Sequence, residues 1–524
     1  VKIAVAQRNF HQGNIPHNTA IILSSIKEAR KKKAELFIVA GYALTGYPLY
    51  DLTTYDSFVY QIHNSLQQIA DACQDIAFLT ATPYYSDEKQ LHYGVAHCFQ
   101  GNIEYLGETL YPNLQLGLKH LTVKAHAISM IIGDTSASFA AIEQLTTLGN
   151  TDLLIYLSAT PFDYSLPKRR IDQLMSLTKQ LNTPLLFVNH IGASTDLLFE
   201  GSSMAFSAEG SLVVSAGLFQ EQMFYVDSSQ LHSNSYESLL IDIPDKSTLI
   251  RDALVLGIQD FFYKSGFRQA VLGLSGGLDS AVTAVLAVEA LGAENVLGVM
   301  MPSQFSTEHS LIDAKQLALN LQIQTELIPI ESQYHAVMNS LQYIFKNKEF
   351  GITEENIQAR LRGLLLMAIS NKSGHIVLNS SNKSEAAVGY GTLYGDMSGS
   401  LSVLGDVYKT EVYQLAELIN REKGVIPLNI IQKPPSAELS PGQKDSDSLP
   451  AYELLDALLF QFIEEGKGSD ELIKDGFDPK LVKRIISLVN RSEFKRFQAP
   501  PVLKVSPRTL KTDRSMPQNS SFVI

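Results

Sequence analysis

Apolar positions in the first half of the chain fall in short β-prone runs, separated by longer stretches with a helical period. Residues 3–6, 36–40, 76–82, 153–157 and 184–189 predict strands, and residues 18–33 and 167–181 predict amphipathic helices. Turn signals at Gln100-Gly101-Asn102 and Ala208-Glu209-Gly210-Ser211 predict two hairpins. Together these elements make residues 1–245 a mixed α/β layer structure. Residues 242–246, with Pro244, read as a boundary, and residues 249–264 predict a helix beyond it. The pattern then changes to strict alternation. Strands are predicted at 269–272, 296–303 and 374–378, with helices at 281–291, 311–321 and 356–370 between them. That order predicts a parallel, doubly wound sheet over residues 246–524, whose ligands sit outside the carboxyl ends of the strands.

Composition narrows the function. A chain of 524 residues exceeds what one hydrophobic core usually supports, and 45% apolar with 18% charged residues describes an ordinary globular protein. A net charge of -12 argues against a general binder of nucleic acid or anionic membrane. Two cysteines, Cys73 and Cys98, cannot build a disulfide framework or a four-thiolate zinc site, and they suit a reducing cytoplasm. The opening run Val1-Lys2-Ile3-Ala4-Val5-Ala6-Gln7 reads as a strand and not as the apolar core of a signal peptide. No apolar stretch is long enough to span a bilayer.

The strongest chemical signal is Gly273-Leu274-Ser275-Gly276-Gly277-Leu278-Asp279-Ser280. It lies on a predicted strand-to-helix turn, where the first N–H groups of the helix lack partners. Paired glycines let an anion approach the main chain, and the helix start favours negative charge. Ser275 and Ser280 add hydroxyls, and Asp279 is suited to hold a divalent cation against the same phosphates. The Gly-Lys-Ser/Thr ending of a Walker loop is absent. The stretch resembles the pyrophosphate loop of the ATP pyrophosphatase families, which implies cleavage of ATP between its α and β phosphates and transfer of AMP to an acceptor.

Later motifs bear on the acceptor. Asn356-Ile357-Gln358-Ala359-Arg360-Leu361-Arg362 places two arginines on different sides of a helix. Asn379-Ser380-Ser381-Asn382-Lys383-Ser384-Glu385 is a polar loop at a strand's carboxyl end, and Glu385 is the natural second carboxylate for a Mg²⁺ held by Asp279. Tyr394-Gly395-Asp396, Tyr408-Lys409-Thr410, Pro435-Ser436-Ala437, Gln443-Lys444-Asp445 and Phe494-Lys495-Arg496 follow. With these motifs the second half resembles NAD+ synthetase, and the whole chain resembles its two-domain, glutamine-dependent form. The resemblance implies an adenine nucleotide alpha hydrolase-type sheet. It also implies contact with ATP by Gly273 to Ser280, Ser380, Lys409 and Ser436, and Mg²⁺ held by Asp279 and Glu385. By the same resemblance Asn356, Arg360, Glu385, Asp396 and Lys495 lie along a deamido-NAD+ site, with Asp279, Glu385 and Lys409 carrying the chemistry. Ser380-Ser381-Asn382 departs from the family's Thr-Gly-Asn but keeps the hydroxyl.

The first half resembles the nitrilase-like amidase domain, an αββα sandwich. The resemblance rests on the opening strand, Ala43-Leu44-Thr45-Gly46-Tyr47-Pro48, Pro112-Asn113, Ser158-Ala159-Thr160-Pro161-Phe162, Phe187-Val188-Asn189 and Phe199-Glu200-Gly201-Ser202. That family uses a Glu base, a Lys and a nucleophilic Cys. The matching positions here carry Gly41, Glu108 and Ile132, and no cysteine follows Cys98. Leu114 and Leu166 stand where the family's glutamine-binding Tyr and Lys are expected. Loss of a nucleophile typically costs about 10⁶ in rate. The expectation is an ammonia-dependent, homo-oligomeric NAD+ synthetase with an inactive first domain. Other readings are a glutamine-dependent synthetase using an unrecognised or partner glutaminase, a related acceptor such as nicotinate mononucleotide, and a nucleotide sensor without activity.

Overall fold

The computed structural model describes residues 1–109, 114–123, 126–133, 151–232, 238–346, 348–443 and 445–518. Side chains at 108, 109 and 114–120 are outside that description, as are Pro112 and Asn113. The chain divides into two compact units, Val1–Pro244 and Asp245–Ile524.

The first unit holds two six-stranded sheets. One runs in the order Gln222–Asp227, Lys2–Gln7, Leu36–Val39, Ala77–Tyr85, Leu91–Phe99, Asn102–Thr109, with its second to fourth strands parallel. The other runs Leu212–Ser215, Met204–Phe206, Leu185–Val188, Leu153–Ser158, His126–Gly133, Leu114–Val123, again with a parallel trio inside. Leu153, Ile155 and Leu157 join a core shared with Ile3, Val5 and Ile38 of the first sheet. Leu154 and Tyr156 alternate onto the opposite face, against Leu174 and Leu177 of the helix Leu166–Leu181. Burial of both faces explains why 153–157 reads as an unbroken apolar run. Helices Ile15–Lys31 and Asp56–Ala72 contribute Ile22, Ile26, Ile62 and Leu66 to the core at the first sheet, giving the αββα layering.

Some boundaries differ from the sequence pattern, for local reasons. The first helix begins at Ile15 rather than 18, because Asn14 caps it and a proline opens its first turn. The helix Asp56–Ala72, whose C-cap is Cys73, had no predicted range, and the hairpin Ile191–Ser194 with Leu197–Glu200 was not foreseen because its strands are only four residues long. Both expected hairpins are present, joining Leu91–Phe99 to Asn102–Thr109 and Met204–Phe206 to Leu212–Ser215.

The second unit is built on a five-stranded parallel sheet ordered Gln324–Leu327, Val296–Met300, Ala270–Gly273, Ile376–Asn379, Leu401–Ser402. Helix Ile352–Ser373 lies against one face, where Leu365, Leu366 and Ile369 meet Val271, Val299 and Val377. Helices Lys246–Ser265, Leu278–Leu291 and Lys409–Glu422 pack together as a second group. A helical cluster centred on Leu455, Leu458, Ile485 and Val489 follows towards the C-terminus. Strand order reverses between Ala270–Gly273 and Ile376–Asn379. A crevice is expected outside the carboxyl ends of those two strands. Among the described residues no helix is long and apolar enough to cross a membrane.

Candidate active site

The turn after Ala270–Gly273 is shaped by contacts that only glycine permits. Gly276 has φ +76°, and a Cβ there would lie 2.2 Å from the Ser310 carbonyl oxygen. Gly277 is the N-cap of Leu278–Leu291, and no side chain caps that helix. The helix therefore offers bare N–H groups to the crevice. Ser275 Oγ accepts from the Gly277 N–H at 3.1 Å and lies 3.0 Å from Ser280 Oγ, bracing the turn from inside.

The second strand of the switch point delivers Asn379 to Glu385. Asn382 caps the short helix Lys383–Val388, accepting from the Glu385 N–H at 3.0 Å, while its Nδ2 donates to Asp279 Oδ1 at 3.1 Å. Lys409, buried at the start of its own helix, pairs with the other Asp279 oxygen. Tyr390 and Tyr452 both donate to Asp445, at 3.4 and 2.9 Å. Asp279, Glu385, Tyr390, Lys409 and Asp445 line one cavity of about 320 Å³, with Asn382 and Tyr452 holding two of them from behind.

Electrostatics in this cavity are unbalanced. Asp279, Glu385, Asp396, Glu438 and Asp445 line it, against Arg362, Lys409 and Lys433. Burial, reinforced by Asp279, pushes Glu385 up to about 8. Burial likewise raises Asp396 and Asp445. Burial alone would lower Lys409, but Asp279 and Glu385 outweigh it and hold the ammonium above its ordinary value. Burial brings Arg362 down to about 10. An excess of carboxylate this close to a bare helix start is tolerable only if a cation accompanies any phosphate. Among the described residues no group of three or more His, Cys, Asp or Glu forms a metal cage. Asp279 and Glu385 thus suit an ion that takes one or two carboxylates and completes its shell with phosphate oxygens and water, as Mg²⁺ does.

The anticipated residues divide into two sets. Gly273, Leu274, Ser275, Gly277, Leu278, Asp279 and Ser280 face the cavity with Ser380, Lys409 and Ser436, and Gly276 backs onto Ser310. Glu385 and Asp396 face it too. Asn356, Arg360 and Lys495 are not in its lining. Each instead holds one turn, 389–396: Asn356 Oδ1 accepts from Thr392 Oγ1 at 2.7 Å, Arg360 Nε donates to the Leu393 carbonyl at 3.2 Å, and Lys495 Nζ donates to the carbonyls of Gly389 and Gly391 at 2.8 and 2.7 Å. Of the two arginines, Arg362 is the one on the cavity wall, with Nε donating to the Met301 carbonyl at 3.0 Å. Sequence reasoning missed Met301 and Leu366, an apolar wall suited to a flat base, and Lys433, which donates to Ser310 Oγ at 3.0 Å. Lys433 immediately precedes the Pro434-Pro435-Ser436 run, which was the available signal.

In the first unit, Gly41 and Ile132 are brought together around Leu157. A Cβ on Gly41 would lie 3.2 Å from the Leu157 carbonyl oxygen, and Ile132 is the register partner of Leu157. His190, buried, lies against the Gly41 carbonyl with its Nε2 in hydrogen-bond contact. The side chain of Glu108 lies outside the described residues. Cys73 and Cys98 are fully buried, the first at a helix end and the second on a strand. Burial pushes the Cys73 thiol up to about 12 and raises Cys98 also. Neither is available as a thiolate.

The family described as NAD synthase matches residues 250–499, which contain the glycine turn, both carboxylate loops and Lys495. A protein from Synechocystis sp. named glutamine-dependent NAD(+) synthetase is 38% identical, with 99% of each chain covered. This chain belongs to the NAD+ synthetase family. The family likeness extends to solved structures. A glutamine-dependent NAD+ synthetase from Acinetobacter baumannii, in complex with adenosine diphosphate, is 34% identical with a TM-score of 0.77, covering 99% of this chain and 98% of that one. A glutamine-dependent NAD(+) synthetase from Cytophaga hutchinsonii, 18% identical, has a TM-score of 0.83 and shares the fold over 99% of this chain. Both units thus have counterparts in single relatives of similar length.

Proposed function

We propose that this chain makes NAD+ by ATP-dependent amidation of deamido-NAD+, using ammonia that it does not itself release from glutamine. The observation that carries the first part is the joint cavity of the glycine turn, Asp279, Lys409 and Glu385, in a chain 34% identical to a relative solved with a bound adenine nucleotide.

A carboxylate is a poor acceptor of ammonia, being anionic and lacking a leaving group. Adenylation removes both obstacles. A nicotinate carboxylate oxygen attacks the α-phosphorus of ATP, and the bond to the oxygen bridging to the β-phosphorus breaks. Negative charge then grows on the departing pyrophosphate, opposite the N–H groups of Leu278 and Asp279 and the Lys409 ammonium. Ammonia adds to the acyl carbon, the bond to AMP breaks, and the nitrogen sheds a proton. Asp279 and Glu385 would hold Mg²⁺, which supplies charge neutralisation at the phosphates when bound. Asn382 orients Asp279, and the turn 389–396, tied down by Asn356, Arg360 and Lys495, would border the deamido-NAD+ site. The rest of the catalytic effect is positioning.

The nitrogen source rests on different support. Residues 41 and 132 are Gly and Ile, and the two thiols of the chain are buried in the layers of the first unit. A second reading is glutamine-dependent synthesis, fed by an unrecognised or partner glutaminase. The names of the relatives favour that reading over free ammonia. Nicotinate mononucleotide remains a competing acceptor. The deciding experiment supplies [¹⁵N]ammonium or [amide-¹⁵N]glutamine to the purified chain with ATP and deamido-NAD+. Label from ammonium alone is the expected result. Label from glutamine refutes the ammonia reading, and absence of pyrophosphate with either donor refutes the synthetase reading in favour of a sensor.

Self-association is part of the same proposal. Ile352 and Leu364 on helix Ile352–Ser373 are 72% and 64% exposed, and the edge strand Gln324–Leu327 is exposed throughout. A sedimentation measurement giving a dimer or larger species is expected. The buried, unpaired cysteines suit a reducing cytoplasm.

A further inference from the structure

Glu385 sits on a helix of six residues, Lys383–Val388, too short to hold itself in water. Its orientation must come from outside. Asn382 and Glu385 cap each other on the cavity side. On the far side stands Lys383, the first residue of the same turn, fully buried and absent from the cavity lining.

Its ammonium is surrounded by acceptors: Asp406 Oδ1 at 2.9 Å, Glu464 Oε1 at 2.5 Å, Ser506 Oγ at 2.7 Å and the Arg508 carbonyl at 2.8 Å. The Tyr408 ring lies 5.0 Å from it. Asp406 continues the network into the C-terminal segment, accepting from the N–H groups of Val505 and Ser506 at 2.9 and 2.7 Å and from Ser506 Oγ at 2.8 Å. Glu464 accepts from Tyr408 Oη at 2.7 Å. A buried ammonium with every donor engaged is geometrically strict, because any displacement strands a charge.

We infer that Lys383 is a positioning residue: it clamps the helix carrying Glu385 to residues 505–508, so that this C-terminal segment sets where the cavity carboxylate stands. Ser506 is the informative handle, since its hydroxyl accepts from Lys383 and donates to Asp406 while lying outside the cavity. The inference rests on the synthetase reading for its catalytic consequence and on the geometry alone for its mechanical one.

The test uses the full chain with Ser506→Ala, Ser506→Thr and Lys383→Met. Backbone amide exchange at 382–389 is expected to quicken about tenfold in Ser506→Ala, with the strand Ala270–Gly273 unchanged. With saturating ammonium, kcat is expected to fall about tenfold at a KM for ATP within about twofold of the parent, in the range usual for groups that orient ligands. Ser506→Thr should restore both, and Lys383→Met should exceed both if it folds. Wild-type exchange and kcat in Ser506→Ala would overturn the inference, as would equal quickening across Ala270–Gly273. If the parent chain makes no NAD+ while the exchange pattern appears, the clamp stands and the synthetase reading falls.

Discussion

The two units treat buried polarity in opposite ways. In the first, buried polar groups turn to one another: His190 Nε2 contacts the Gly41 carbonyl, and Arg170 and Glu200 form a fully buried ion pair through Nη1 and Oε1, leaving Arg170 Nε and Nη2 and Glu200 Oε2 without a hydrogen-bond partner among the described residues. In the second, Asp279, Glu385 and Asp445 face a cavity with more negative than positive charge around it. A buried ion pair whose members face each other specifies packing. Carboxylates crowded at a buried cavity rise in pKa and favour the joint arrival of a cation and an anion. The difference is between an ion pair packed inside a unit and charges gathered around a cavity.

The largest effect is expected from breaking the second unit's balance. Lys409→Met strands Asp279 beside Glu385, and ammonium-driven NAD+ formation should fall by about 10³-fold. Cys73→Ala with Cys98→Ala should leave that rate within about twofold in the same assay. Equal losses in both would dissolve the contrast. Gly276→Ala comes next: its Cβ would meet the Ser310 carbonyl at 2.2 Å in a backbone conformation strained for alanine. Shifting the turn by about 1 Å should cost about 10²-fold in kcat/KM for ATP. On the other side, Cys98→Ser puts a hydroxyl into a fully buried strand position. Chemical denaturation should report a loss of about 2 kcal/mol with no change in ammonium turnover.

The smallest effect is a pH slope. Burial and Asp279 push Glu385 up to about 8, against an ordinary 4.5, so between those pH values the folded chain keeps a proton that the unfolded chain has lost. The folded state binds more protons there, and stability must fall as pH rises through that window. Denaturation midpoints of the ligand-free chain should therefore decline over this range more steeply than those of Glu385→Gln. Identical slopes would mean that Glu385 is ionised without a cation. Uptake of Mg²⁺ with ATP near pH 7 should release a proton, measurable in a weakly buffered solution.

Much of this site was legible because its motifs are local. Gly273 to Ser280 and Asn379 to Glu385 each follow a strand directly, so strand periodicity places them at neighbouring carboxyl ends once the sheet is parallel. Arg360, Asn356 and Lys495 were harder. A helix shows which residues share a face, but Arg362 rather than Arg360 reaches the cavity because the turn 389–396 packs against Ala359 and Gly363. The bounds of the helix Asp56–Ala72 were not legible because no side chain caps its start.

The strand-to-helix setting of the glycine turn and the absence of a cysteine beyond residue 98 were decided by the sequence alone, since each depends on neighbours in the chain or on composition. What only the tertiary structure decided is the company each charge keeps. Lys383 and Lys409 are two lysines of similar local context, yet one ammonium is enclosed by Asp406, Glu464 and Ser506, and the other stands at the cavity beside Asp279. Burial and partners more than 20 residues away set their roles, and no short-range pattern encodes a distance between two such segments.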